Sequence, residues 1–167
     1  MKNLIYVGVV ILALTGISLG QSKSDTKQPP NPKQDQKPKF TETSPELERR
    51  DQPVDNKDLL ILKRAGEILS DETKWNRKDD RTCKPDDKVW SLFCALEKAS
   101  IEILGEYQHR RAAMQEVRFA IEDVTNGKEF EHRLMDYNNL PSTRFEDIKK
   151  VLKMAADKVS ARLDEKK

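Results

Sequence analysis

The stretch Val89-Trp-Ser-Leu-Phe-Cys-Ala-Leu-Glu-Lys-Ala-Ser-Ile-Glu-Ile-Leu104 decides the fold. Its apolar side chains (Val89, Trp90, Leu92, Phe93, Cys94, Ala95, Leu96, Ala99, Ile101, Ile103 and Leu104) cover most of a helical circumference instead of one stripe. That pattern marks a helix buried on several sides. Gly105 suits its C-terminal stop. Asp86 or Asp87, just beyond Pro85, is placed to cap its start. The spacing predicts a helix over about 87–104 at the centre of the fold.

Outward from this helix the pattern stays helical. Leu59, Leu60, Leu62, Ala65, Ile68 and Leu69 recur at three- and four-residue spacing behind Asp55, predicting a first helix over about 56–70. Ser70–Lys84 has few periodic apolar groups and reads as an irregular loop anchored by Trp75. Ala113, Val117, Ala120, Ile121 and Val124 form the stripe of a third helix, about 109–125, ended by Asn126-Gly127. Glu129–Tyr137 suits one or two short turns, and Asn138-Asn139-Leu140-Pro141 breaks the chain. Thr143 and Glu146 have capping-box spacing. Phe145, Ile148, Val151, Leu152, Ala155, Ala156, Val159 and Leu163 then define a last helix over about 144–163. No segment alternates with period two. The fold class is all-α: a single small bundle of about four main helices over residues 54–167.

Two different segments precede it. Met1–Gly20 has a cationic start at Lys2, an uncharged apolar run over Leu4–Ile17 and a small-residue exit at Ser18-Leu19-Gly20. This is the pattern of a secretory signal peptide cleaved between Gly20 and Gln21. The alternative is a retained anchor over residues 4–19, although the run is shorter than the roughly 20 residues that span a bilayer. Residues 21–53 hold six of the eight prolines and few large apolar groups, which predicts a disordered spacer. The expected product is an exported protein, periplasmic or secreted, with no membrane span in the mature chain.

Charge argues against one class of partner. Residues 21–53 carry seven Lys/Arg and six Asp/Glu, and residues 54–167 carry twenty-three of each. A nucleic-acid-binding domain normally shows a basic surplus, because phosphate neutralisation supplies most of its affinity. Nucleic acid is therefore a poor default partner, although Arg77, Lys78, Arg81, Arg110 and Arg111 could form a local basic patch.

The two cysteines, Cys83 and Cys94, would meet an oxidising compartment after export. A bridge between them would pin the charged loop to the central helix and contribute on the order of 3 kcal/mol. The alternatives are two unpaired thiols with Cys94 as a small buried hydrophobe, a Cys2His2 zinc set with His109 and His132, or a Cys94 nucleophile. The zinc spacings are unlike the close pairs of strong signatures, and Cys94 sits among bulky apolar neighbours.

His109, Arg110 and Arg111 fall at the start of helix three, the wrong end of its dipole for cations. A compensating anion is expected: a bound phosphate or carboxylate, or an internal partner such as Asp79, Asp80 or Asp136. His132 and Asp136 are four residues apart, the spacing of a general-base pair and equally of a structural one. Arg133 lies between them. Asn138 and Asn139 could hydrogen-bond a ligand or shape the turn before Pro141. A site, if formed, would gather Trp75, Arg81, His109, Arg110, His132 and Asp136. No phosphate loop, serine elbow or zinc-protease helix is present, and no cofactor or metal is indicated.

The order of Trp75, Ser91–Leu96, Asn138–Pro141 and Phe145–Ala156 resembles an uncharacterised bacterial all-helical domain of unknown function. There, a Cys-Ala-Leu-type helix is followed by an Asn-rich stretch and a closing helix. The resemblance covers most of residues 59–163, and this chain departs from it in its extra Cys83 and its longer His/Arg-bearing middle. It implies the all-helical fold and brings no activity. The leading functional expectation is a non-catalytic envelope or secreted module for an unknown protein or small anionic ligand. The alternative is a small hydrolase or metal-dependent enzyme using the His/Arg/Asp residues.

Overall fold

The computed structural model describes residues 49–166. The leader and residues 21–48 of the spacer lie outside them. The described chain forms five α-helices and one 3-10 turn: α1 (Asn56–Ile68), the turn Glu72–Lys74, α2 (Leu92–Leu104), α3 (Ala112–Val124), α4 (Arg133–Asn139) and α5 (Phe145–Asp164). There is no sheet among the described residues. A single backbone bridge joins Trp75 and Trp90.

Helix ends follow local chemistry. Asp55 caps α1, accepting from the Lys57 and Asp58 N–H groups, and Asp58 returns the favour by accepting the Asp55 N–H. Gly105 ends α2 at φ 85°, in the left-handed region where a Cβ is costly. Two predicted starts are displaced. The cap of α2 is Ser91, whose hydroxyl accepts the Cys94 N–H, and not Asp86 or Asp87. Asp87 instead accepts the Lys84 N–H, within a turn. Ahead of α5 the cap position is Arg144, whose N–H is accepted by Asp147. Thr143 turns inward and donates to the Tyr137 carbonyl at 2.7 Å. α3 begins at Ala112, so His109 and Arg110 precede it and Arg111 takes the cap position.

α1, not α2, is the common partner. It packs against α2, α5 and α3, whereas α2 packs against α1 and α4. The continuous apolar reading of α2 has two causes. Its first half, Leu92–Leu96, is buried under the preceding loop and α4, while Ile101 in its second half is 46% exposed. α3 is the helix buried along its length, from Ala112 to Ile121. The core joins Ile61, Leu62 and Ala65 to Leu92 and Leu96, to Val117 and Ile121, and to Ile148, Val151 and Val159.

Residues 49–53 lie against α3 and α5. The Arg49 N–H donates to Gln115 Oε1 at 2.7 Å, the Arg162 guanidinium donates to the Gln52 carbonyl, and Arg50 sits over the Phe119 ring. Among the described residues, no helix is long and apolar enough to cross a membrane.

Candidate functional site

The loop between α1 and α2 carries Trp75 and Arg81, two of the residues singled out by sequence, and short-range turns shape it. Asp71 caps the 3-10 turn, the Asn76 side chain accepts the Lys78 N–H, Asp79 accepts the Arg81 N–H, and Asp80 accepts the Thr82 N–H. Arg81 then takes φ 62°, a region that residues other than glycine seldom occupy. Trp75 and Trp90, both buried, clamp the two ends: Asn76 N–H donates to the Trp90 carbonyl at 3.0 Å and Trp90 N–H to the Lys74 carbonyl at 2.7 Å. A disulfide joins Cys83 to Cys94, with 5.3 Å between their Cα atoms.

α4 supplies the second fastening. Asn138 is fully buried. Its carbonyl oxygen accepts the Trp75 indole N–H at 2.7 Å and the Leu92 N–H at 3.0 Å. Its amide donates to the Asn76 carbonyl at 3.0 Å and to Asn139 Oδ1 at 3.1 Å. Asn139 pairs with the backbone of Asp79 in both directions, each at 2.8 Å. Both asparagines therefore belong to the last turn of α4, not to a break after it. Their amides stand in for a strand edge that binds the loop.

The histidines sit on a chain of rings and guanidinium groups. Arg81 approaches His132 Nδ1 at 3.3 Å and its guanidinium lies 5.3 Å from the Phe93 ring centre. Phe93 meets Tyr107 edge-on, and Tyr107 meets His109, with its hydroxyl 2.9 Å from Nδ1. Arg118, 2% exposed, contacts the His109 ring at 3.1 Å and donates to its carbonyl. The predicted gathering is thus partly present: Arg81 and His132 touch directly, and His109 joins them through Phe93 and Tyr107. Trp75 is engaged with Asn138. Asp136 accepts the His132 backbone N–H at 2.8 Å, so the contact between these two is a helix cap. Arg133 is buried, 4.0 Å from Glu122.

Arg110 and Arg111 lie elsewhere. A cleft of about 430 Å³ opens between residues 52–58 and 108–112, and Arg110 lines it. The anion expected beside these cations is internal, but it comes from α1 and not from Asp79, Asp80 or Asp136. Arg111 meets Asp55 at 2.6 Å and Asp58 at 3.0 Å, and Asp58, 2% exposed, also accepts the Ala113 N–H. Burial works to raise the Asp55 carboxyl, but Arg111 and the two N–H donors hold it below its usual value. The basic patch is likewise divided, since Arg77 donates to the Pro141 and Thr143 carbonyls.

Burial pushes three other carboxyls up. Asp79 is raised although the Arg81 N–H and the Ser91 hydroxyl oppose it, and its Oδ2 has no hydrogen-bond partner. Glu97 is raised with Arg81 opposing, and Glu116 with Arg162 opposing. The Tyr137 hydroxyl is pushed up to about 12 by burial and then by Asp147. Asp58, Glu116 and Arg118 were not singled out as buried polar groups, because a lone charge in a helical pattern reads as part of a solvated face, and Asp79 was named only as a partner for cations, since it lies in a run of charged residues. Among the described residues, no three His, Cys, Asp or Glu side chains are placed to hold a metal.

A family model described as a family of unknown function, DUF6197, matches residues 53–158. The chain belongs to this family. No curated protein and no solved structure matches it. The matched span runs from the residue before Val54 to the penultimate turns of α5, so the DUF6197 domain includes the loop, the cystine and the asparagine pair.

Proposed function

We propose that this DUF6197 chain is an exported, non-catalytic module that binds a partner or organises a surface in the cell envelope or the secreted fraction. One observation carries the reading. Trp75, Asn138, Asn139 and Asp136 are engaged in fixing the loop and α4, with donor and acceptor capacity directed into the fold. A hydrolase needs a nucleophile or base free to meet a substrate. A display module needs a fixed surface, and a loop fastened by a cystine and two asparagines supplies one. The cystine also favours an oxidising compartment.

The full chain, expressed in a secreting bacterial host, tests the proposal by fractionation and intact mass. The expected product begins at Gln21, lies outside the cytoplasm and carries no free thiol. Recovery of the uncleaved chain in the cytosol with two free thiols would refute export. Asp136→Ala and His132→Ala should lower thermal stability without abolishing partner capture by the folded protein. Hydrolysis of a panel of ester and phosphoester substrates, lost in both variants, would refute the non-catalytic reading.

A further inference from the structure

The two sulfurs of the cystine occupy different surroundings. Cys94 is 6% exposed and is the third residue of α2, its N–H held by Ser91 Oγ at 3.1 Å. Cys83 is only half-buried and lines a cavity of about 130 Å³, walled by Pro85, Trp90 and Ile101 and flanked by two cations, Lys84 and Lys98, and two carboxylates, Glu97 and Glu102. Thiol–disulfide exchange depends on which sulfur an incoming thiolate can reach and on how readily the other sulfur leaves. Access selects Cys83. The leaving sulfur would be Cys94, in the first turn of a thirteen-residue helix whose N-terminal dipole favours a thiolate. Burial of Cys94 opposes this, and opening the loop relieves that burial.

We propose that Cys83–Cys94 is an exchangeable disulfide: Cys83 is the attacked sulfur, Cys94 the leaving thiolate, and the co-substrate a small thiol or a dithiol protein. The thiolate forms a bond to Cys83 Sγ while the Cys83–Cys94 bond breaks, its electron pair departing on Cys94 Sγ. A second thiolate then attacks the mixed disulfide and releases Cys83 as a thiolate. The cystine gains two electrons, the co-substrate thiols are oxidised to a disulfide, and both protein thiolates take protons from water.

Two further observations favour a local opening. The ends of the loop do not depend on the bridge, because Asn138, Asn139 and the Trp75–Trp90 pairing hold residues 74–79 and 90–92. Arg81, two residues before Cys83, is in the left-handed region, so release frees that one residue to leave a disfavoured conformation. This inference needs only the bond itself and not the proposed export.

The test uses the oxidised full chain under native conditions, treated with reduced glutathione and trapped at short intervals with N-ethylmaleimide. Peptide mapping by mass should place glutathione on Cys83 and maleimide on Cys94, with the helical circular dichroism retained. Glutathione on Cys94, or no reaction until the protein is unfolded, would overturn the proposal. A Cys83→Ser variant isolates the second sulfur. Its alkylation rate should reach half-maximum below the ordinary thiol pKa of about 8.5. A midpoint at or above that value, or reaction only in denaturant, would overturn the assignment of Cys94 as the leaving group.

Discussion

Replacing Asn138 by alanine should damage this fold more than any other single polar change. The side chain is fully buried and makes four hydrogen bonds, linking α4 to Trp75, Asn76 and Leu92. Truncation strands two buried donors, the Trp75 indole N–H and the Leu92 N–H. A buried donor left without a partner costs about 1–3 kcal/mol. The freed Asn76 carbonyl adds less, since a carbonyl tolerates partial satisfaction better than an N–H. The expected loss is therefore about 3–5 kcal/mol, or roughly 10–20 °C in Tm for a domain of this size. Urea denaturation followed by tryptophan fluorescence and by circular dichroism would read it, and both probes should shift together. Asn138→Asp sharpens the test. It keeps the acceptor but turns an oxygen toward the Asn76 carbonyl and Asn139 Oδ1. Its carboxyl would be raised in the folded state, so the variant should lose stability above the unfolded carboxyl pKa and regain it as pH falls through the folded value. An Asn138→Ala loss below about 1 kcal/mol would mean that water or a rearranged loop satisfies both donors, and the keystone reading would fail.

Three other outcomes follow from the same contacts. Arg111→Ala should cost about 2–4 kcal/mol by leaving buried Asp58 without its cation, and Arg111→Lys should recover only part, as a point charge cannot span Asp55 and Asp58; double-mutant cycles with Asp55→Asn would check the coupling. Asp79 is raised by burial, so its penalty is present above the folded-state pKa and fades as pH falls through it; wild-type stability should rise over that interval, while Asp79→Asn should show a flatter profile in pH-dependent denaturation. The double variant Cys83→Ala/Cys94→Ala should lose about 3 kcal/mol yet keep its helical dichroism, because the closed ring is short and the loop ends are held elsewhere.

Helix identity was legible wherever an apolar stripe repeats over three turns. α1, α3 and α5 follow from Leu62/Ala65, Val117/Ile121 and Ile148/Val151/Val159, although the α1 stripe as read took in Leu60, which is exposed, and passed over Ile61, which is fully buried. Starts were less so. Asp86 and Asp87 have the chemistry of a cap, as Ser91 does, and pattern alone could not weigh them. The choice was made by Trp90, whose N–H donates to the Lys74 carbonyl and so holds the residue before Ser91 in a backbone bridge instead of a helix. Thr143 lost the cap position because a buried hydroxyl beside the Tyr137 carbonyl has no better partner. The cystine was readable as one of several fates of two cysteines, whereas its companions were not. The engagement of Asn138 with Trp75 spans sixty-three residues, and no local spacing reports such a pairing. For the same reason the partner of Arg111 was sought in the wrong carboxylates: Asp55 and Asp58 are more than fifty positions upstream and reach it only once α1 and α3 are packed.

The placement of these fastenings along the chain orders their assembly. Cys83 and Cys94 are eleven residues apart, and Asn138 follows Cys94 by forty-four positions. The ring between the two cysteines is local, whereas the asparagine that locks its base must be brought back from another helix. Once the cystine has formed, it narrows the shapes available to residues 83–94 whether or not α3 and α4 have packed. The asparagine pair then meets a loop already restricted in its conformations, so a chain oxidised before it folds has less to order than a reduced one.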